Sequence, residues 1–365
     1  MSGPLGVVVA IVLFLVVLGS LVLFHELGHF ITARLAGIRV LEFGIGFPPR
    51  AKVLRAKGET LYTLNWLPIG GFVKLEGEDG DDNDDPRSFV RARLPVKLII
   101  LVAGVAMNLF LSFAIFTSIA WLATPLQGAR LVSVPEAGSP AAMGGLHQGD
   151  GIRAINGAPF DFYGASVVEV LRAEAGQTVT LDVDRANGAR ENVTVSLRPP
   201  EVLSPTVGPL GIGLPTGYFY GQYTTHDPGT AIRIGASETG RWFGLILSGL
   251  GDIVGSFVSN PTAPPVAAGP VGIATQLSDV FFQDGPILTL YVAAILSANL
   301  ALVNVLPFPP LDGGRMLMIV LKRIFGTRIS LRAEQATYTV GFVFLFAFLI
   351  WVSGFDIVRI VSGGS

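Results

Sequence analysis

Apolar residues in this chain collect into four long runs, at residues 6 to 24, 98 to 122, 287 to 306 and 338 to 352, and a long polar insert separates the second from the third. About 20 apolar residues at roughly 1.5 Å rise each cross a hydrocarbon core of about 30 Å, so each run predicts a transmembrane helix. The first is not a cleaved signal: "MSGPLG" carries no basic residues, no small-residue cleavage site follows, and the run continues directly into a His-Glu pair. A further apolar stretch, residues 242 to 259, is interrupted by Gly and Ser and carries Asp252. Crossing there would invert the orientation of everything downstream, so it predicts an amphipathic helix lying on the outer leaflet.

Orientation follows from the basic residues. Arg34, Arg39, Arg50, Lys52, Arg55, Lys57, Arg91, Arg93 and Lys97 crowd the segment between the first two runs, and Lys322, Arg323 and Arg328 lie between the last two. The positive-inside rule puts both segments in the cytoplasm, and the N-terminus, the 124 to 286 insert and the C-terminus outside. Within the insert, "TVTLDVD" and "RENVTVS" alternate apolar and polar positions on either side of Asn187-Gly188, which predicts two strands of a small mixed domain.

Composition agrees with a membrane protein: 50% of residues are hydrophobic, 14% are charged, and the mean hydropathy is +0.59. A net charge of -2 gives no sign of a nucleic-acid partner. With no Cys in the chain, disulfides and thiolate metal sites are excluded, and His and carboxylates are left as the strong metal ligands.

Against that background the stretch "LVLFHELGHFITARL" requires explanation. Ionisable side chains at bilayer depth cost several kcal/mol unless something compensates. His25 and His29 stand at i and i+4, on one face of a helix, where both imidazoles reach a single ion. Glu26 lies about 100° around, suited to hold a water and take its proton. The carboxylate placed to complete a three-ligand site is Asp312, which follows Pro307, Pro309 and Pro310 at the cytoplasmic end of the third run and precedes Gly313 and Gly314, read as permitting irregular backbone. His147 and His226 fall in the insert and read as solvated loop residues. "EDGDDNDDP" has the alternation of a calcium loop at Asp81, Asn83 and Asp85, but Pro86 occupies the place where the loop needs Gly, so it reads as a solvated loop.

"FHELGHF" together with "NVLPFPPLDGG" resembles the site-2 protease family of intramembrane zinc metalloproteases, in its bacterial branch that regulates sigma factors. The resemblance implies zinc held by His25, His29 and Asp312, with Glu26 as catalytic base. It implies substrate contacts at Asn304, Pro307 and Pro309, at Gly44 and Gly46 of "EFGIGFPP", and at Gly70 and Gly71 of "YTLNWLPIGGFVKLEGE", a segment similar to the family's membrane-re-entrant hairpin. Independently, Tyr62, Leu64 and Trp66 alternate with Thr63 and Asn65, and Pro68 to Gly71 supplies a turn before Phe72, Val73 and Leu75, so a hairpin with arms on either side of that turn is expected. "GGLHQGDGIRAING" resembles part of a PDZ domain, placed at residues 128 to 198, with too little strand pattern in 199 to 228 for a second one.

The expected fold is a polytopic α-helical membrane protein of four transmembrane helices with a membrane-re-entrant β-hairpin and an inserted extracytoplasmic PDZ-like α+β domain. Its parts are 1 to 123, 128 to 198, 199 to 286 and 287 to 365. The resemblance implies a protease of the bacterial inner membrane that cleaves transmembrane segments of single-span proteins, such as trimmed anti-sigma factors or remnant signal peptides. Its active site would lie toward the cytoplasmic side and its PDZ-like domain outside. A non-enzymatic scaffold and a metal transporter are the competing classes; a transporter should string ionisable groups across several spans, whereas here they gather at one depth.

Overall fold

The structure, a computed structural model, describes residues 4–56, 58–78, 85–204, 206–213, 215–259, 268–326 and 330–362. In chain order its elements are α1 (Pro4–Leu35), β1 (Val40–Arg55), β2 (Leu61–Leu75), α2 (Leu94–Leu122), β3 (Thr124–Arg130), α3 (Pro140–Met143), β4 (Gly151–Ile155), β5 (Ala158–Asp161), α4 (Val167–Ala173), β6 (Thr178–Asp184), β7 (Arg190–Ser196), β8 (Thr216–Thr224), α5 (Pro228–Ser259), α6 (Pro270–Gln283), α7 (Pro286–Val305), α8 (Asp312–Phe325) and α9 (Leu331–Val361). The chain divides into one unit of residues 1–116 with 235–365 and another of 117–234.

In the first unit, α1, α2, α7 and α9 are long and apolar enough to cross a membrane. No proline interrupts α1 after its start, so it runs past the apolar stretch and carries the His-Glu-His cluster in regular helix until Gly37, at φ 75°, turns the chain out of the last turn. Helix α1 lies close against α2: a Cβ on Gly28 would stand 2.4 Å from the Ala103 carbonyl oxygen. The buried residues of α7 include Ala294, Ser297, Ala298 and Ala301, small residues that allow close helix approach, and Ser297 Oγ donates to the Asn108 carbonyl at 2.8 Å. Helix α5 falls outside the four candidate spans, and its residues Glu238, Arg241 and Trp242 gather on Tyr291 of α7: the phenol oxygen accepts from Arg241 (2.8 Å) and Trp242 (2.9 Å) and donates to Glu238 (2.5 Å). Asp356, buried within α9, accepts from the backbone N–H groups of Gly269 and Gly272 and so caps the start of α6.

The β1 and β2 segments do not form the expected hairpin. Val40 to Ile45 lies opposite Leu75 to Gly71, yet Glu42 to Ile45 also lies beside Leu61 to Leu64, and Arg50 to Arg55 lies opposite Asn65 to Tyr62. The two arms expected to pair with each other across Pro68 to Gly71 are thus separated by residues 42–45, which have partners on both sides. Each residue of that middle segment has two pairing edges, so it satisfies both arms at once. The glycines serve close approach there: a Cβ on Gly44 would meet the Phe72 ring at 2.3 Å, and one on Gly46, at φ 78°, would meet the Leu67 carbonyl oxygen at 2.4 Å.

Gly313 and Gly314 also differ from expectation. They are helical, in the first turn of α8, and buried. A Cβ on Gly313 would stand 2.1 Å from the Val305 carbonyl oxygen, so what these glycines permit is the folding of the α8 start back onto the end of α7.

The second unit is a six-stranded sheet in the order β7-β6-β4-β5-β3-β8, with β4 also pairing β3. In β6, Val179, Leu181 and Val183 enter the core while Thr180 and Asp182 turn away from it, the period of two read from the sequence. Asn187 Oδ1 accepts from Ala189 N–H and Gly188 takes φ 87° in the predicted turn. The unit reaches beyond the expected 128–198 at both ends, because β3 begins at Thr124 and β8 pairs with it along Thr124 to Arg130. Leu210 and Ile212 join the core from the connection that leads into β8.

Candidate metal centre

Three of the residues expected at the site meet. The side chains of His25 and His29 are buried and that of Asp312 is partly so, and their ligand atoms lie within 4.8 Å of one another, forming the potential metal-holding group found among the described residues. The edges of the triangle are 2.9 Å from His25 Nε2 to Asp312 Oδ2, 3.3 Å from His29 Nε2 to Asp312 Oδ2, and 3.1 Å between the two Nε2 atoms. Donors about 2.0–2.2 Å from a tetrahedral zinc stand roughly 3.4 Å apart, so this triangle fits such an ion to within about half an ångström.

Each donor is aimed by its surroundings. The helical turn between His25 and His29 brings the rings to a centroid distance of 4.7 Å, nearly perpendicular to one another. His29 Nδ1 faces the Ile100 carbonyl oxygen at 2.8 Å, which leaves Nε2 to point at the centre. Both imidazoles press against Gly104 of α2, where a Cβ would stand 2.4 Å from His29 Nε2 and 2.7 Å from His25 Cε1; no larger residue fits without displacing the rings. Asp312 is the first residue of α8, where the prolines have ended α7 and the chain turns back.

Glu26 lines a cavity of about 470 Å³ together with His25, Asp312, Asn304 and the arm Gly71 to Lys74. A Cβ on Gly71 would stand 2.8 Å from the Gly44 carbonyl oxygen and 3.8 Å from Glu26 Cγ, so the strand backbone passes directly over the glutamate. Asn304 enters the cavity from the last turn of α7. Gly44, Gly46, Gly70, Pro307 and Pro309 are not among its lining residues. The first two shape the sheet behind it, Gly70 sits at φ 72° against Phe47 and Val22, and the Pro309 carbonyl packs where Gly341 of α9 leaves room.

Sequence reading passed over Arg315 and Glu78, which form an ion pair and line the same cavity. Arg315 lies one helical turn after Asp312, a signal that was available; its partner is 237 residues away and could not be found by local pattern. His147 is exposed, with Nδ1 3.9 Å from Asp150 Oδ2, and His226, expected in solvent, is half-buried, 4.0 Å from Asp161. Of the supposed calcium loop, Asp81 and Asn83 lie outside the described residues, and Asp85 accepts from the Arg87 backbone N–H at 2.8 Å.

Comparison with known proteins follows the same lines. The model of peptidase family M50 matches residues 13–348. The chain is 29% identical to the zinc metalloprotease RasP of Geobacillus kaustophilus, covering 95% of this chain and 97% of that protein, and 33% identical to a candidate zinc metalloprotease of Clostridium perfringens, covering 95% and 98%. Among solved structures, the PDZ domain of an SdrC-like protein from Listeria innocua is 25% identical over 27% of this chain and 99% of that domain, with a TM-score of 0.19.

Proposed function

We propose, from the premise that this chain belongs to peptidase family M50, the site-2 proteases, and is a zinc metalloprotease, that it cleaves peptide bonds within transmembrane segments at the His25, His29 and Asp312 centre. The observation that carries the reading is the convergence of these three donors, two of which, His25 and Asp312, line one cavity with Glu26. Bound zinc supplies Lewis acidity, making water acidic enough to lose a proton near neutral pH and polarising the scissile carbonyl.

The chain's own residues do the rest. Glu26, which lines the same cavity, takes the proton from the attacking water and returns it to the leaving amine. An intact substrate helix hides its amides in its own hydrogen bonds, so it must unwind before cleavage. The Gly71 to Lys74 arm, with β1 on one side and the cavity on the other, is suited to receive the unwound segment as an added strand. Asn304, which lines the same cavity, holds the segment's backbone. The Arg315–Glu78 pair keeps charge balanced there.

The basic segment between α1 and α2 supports a cytoplasmic placement of the catalytic end and an extracytoplasmic placement of residues 117–234. In this reading that unit is a PDZ-like filter that admits single-span substrates, such as anti-sigma factors, once their outer portions have been trimmed. Metal analysis and cleavage of a model single-span substrate test the centre: the purified protein should carry about one zinc per chain, and Asp312→Ala should lose both zinc and cleavage. Unchanged zinc in Asp312→Ala would remove that residue from the site.

A further inference from the structure

We propose that Asn108 is a positioning residue for His25, its side-chain carbonyl accepting the proton on His25 Nδ1 so that the Nε2 lone pair stays turned toward the metal. The inference rests on His25 being a zinc ligand, as argued above.

The two imidazoles play the same part but are held from behind in different ways. A neutral imidazole carries one N–H and one lone pair, and only the nitrogen with the lone pair can bind a metal. Behind His29 stands the Ile100 carbonyl, at 2.8 Å from Nδ1. A carbonyl can only accept, so Nδ1 holds the proton and Nε2 the lone pair. Behind His25 stands the side-chain amide of Asn108, with Nδ2 at 3.4 Å from Nδ1. An amide has a donor end and an acceptor end of nearly equal size, so its orientation follows the hydrogen bonding around it.

With Nδ2 toward the ring, Nδ1 accepts, and the proton sits on Nε2, where it faces Asp312 Oδ2 at 2.9 Å. That arrangement suits a centre without metal, and it has a visible defect: Asn108 Oδ1 is buried with no hydrogen-bond partner. A buried acceptor left unpaired costs about 1–3 kcal/mol. When a cation takes the Nε2 lone pair, the proton moves to Nδ1, and turning the amide over brings Oδ1 to it. The N–H of a metal-bound imidazole is a strong donor, and metal-ligating histidines nearly always give that proton to an acceptor.

The rest of Asn108 is fixed independently of this contact. The residue is fully buried, and its main-chain carbonyl accepts from Ser297 Oγ at 2.8 Å. Gly104, one turn earlier on α2, gives the imidazoles the room to approach. Replacing the side chain therefore leaves the α2–α7 contact in place and removes the partner of His25 alone.

Zinc affinity of the purified full-length protein, measured in detergent by competition with a chromogenic chelator, tests the proposal. Asn108→Leu, which cannot accept, should bind zinc about 10 to 100-fold more weakly. Asn108→Asp, which can only accept, should stay within about threefold of the parent, by the same carboxylate–histidine–zinc logic. Ser112→Ala, which removes a buried unpaired hydroxyl one turn further along α2, should change nothing. Parent-like affinity in Asn108→Leu overturns the proposal, as does equal loss in Asn108→Asp. His25→Ala separates the two levels: if it retains zinc, the ligand assignment has failed, whereas its loss beside an unaffected Asn108→Leu rejects the positioning role alone. Should Asn108→Leu not fold, the nitrogen-15 spectrum of histidine-labelled, zinc-loaded parent protein decides, since a proton is expected on His25 Nδ1 and a bare Nδ1 refutes the idea.

Discussion

Asp150 in the residue 117–234 unit is a buried carboxylate and Asp312 in the helical unit a partly buried one, and their neighbours differ in kind. Asp150 accepts from the backbone N–H of His147 (2.9 Å), from that of Ala186 (3.2 Å) and from the Arg185 guanidinium (2.6 Å). Its charge is met by donors that never leave. The partners of Asp312 among the described residues are two imidazoles, each of which also has a partner of its own behind it. Asp356 shows that depth in an apolar helix does not explain the contrast, since it too is buried in a membrane-length helix and is satisfied by two backbone N–H groups. A carboxylate that the fold has fully provided for with fixed donors is structural, while one that shares its centre with two imidazole nitrogens is suited to a cation.

The largest effect that can sharpen this contrast belongs to Glu26, which shares the cavity without belonging to the ligand triangle. Glu26→Gln keeps shape and removes the ability to take a proton, so cleavage of a model single-span substrate should fall about 10² to 10⁴-fold with zinc content unchanged. Residual cleavage above about a tenth of the parent rate would take the base away from Glu26.

Asp150→Ala should invert the outcome expected of Asp312→Ala. It strands Arg185 with Glu191 as its remaining carboxylate partner. Breaking a buried pair typically costs about 3–5 kcal/mol, and the surviving partner favours the lower end. Faster amide exchange confined to residues 117–234 is expected, with zinc retained. Loss of zinc in Asp150→Ala, or of protection in that unit in Asp312→Ala, would mean that the two carboxylates are not of different kinds.

Gly104→Ala probes the ring packing of the centre. A methyl there would overlap both imidazoles, and overpacking a fitted site costs about 1–3 kcal/mol, which corresponds to roughly 5 to 150-fold in zinc affinity. Parent-like affinity would show that the rings can withdraw from α2 and still bind.

What could be read beforehand follows from how far apart the interacting residues lie in the chain. The apolar runs, the i, i+4 histidines and the Asn187-Gly188 turn are local patterns, and each recurs in the structure at its expected place, although α1 and α9 run well beyond their apolar stretches. Asp312 was legible because the break after α7 and the run of prolines set its depth. The interposition of residues 42–45 between the arms of β2 was not, since alternation marks strands without naming their neighbours. Strand β8 was missed for a related reason: only Tyr218, Phe219, Tyr220 and Thr224 are even half-buried, so its hydrophobic signal is weak and its pairing with β3 does the stabilising. Asn108 did leave a trace. It is a lone amide within "LVAGVAMNLFLSF", and a polar side chain in an apolar helix calls for a partner, but the partner lies 83 residues away.

The smallest effect separates the two units by the solvent each faces. Ile152 on β4 is fully buried in the core of the 117–234 unit, between Ala129 of β3 and Val183 of β6. Ile11 on α1 is about half exposed, on a helix of membrane length. The same change, Ile to Val, removes one methylene from each. At position 152 that methylene leaves a close-packed interior and a small cavity remains, costing about 1 kcal/mol, or about a fivefold increase in the exchange of amides that open only with the whole unit. At position 11 lipid chains fill the space in both the folded and the separated helix, so no hydrophobic driving force is lost and neither zinc content nor thermal stability should move. Equal destabilisation by Ile11→Val and Ile152→Val would indicate that the exposed face of α1 is covered by protein rather than lipid, and the membrane assignment of that helix face would have to be withdrawn.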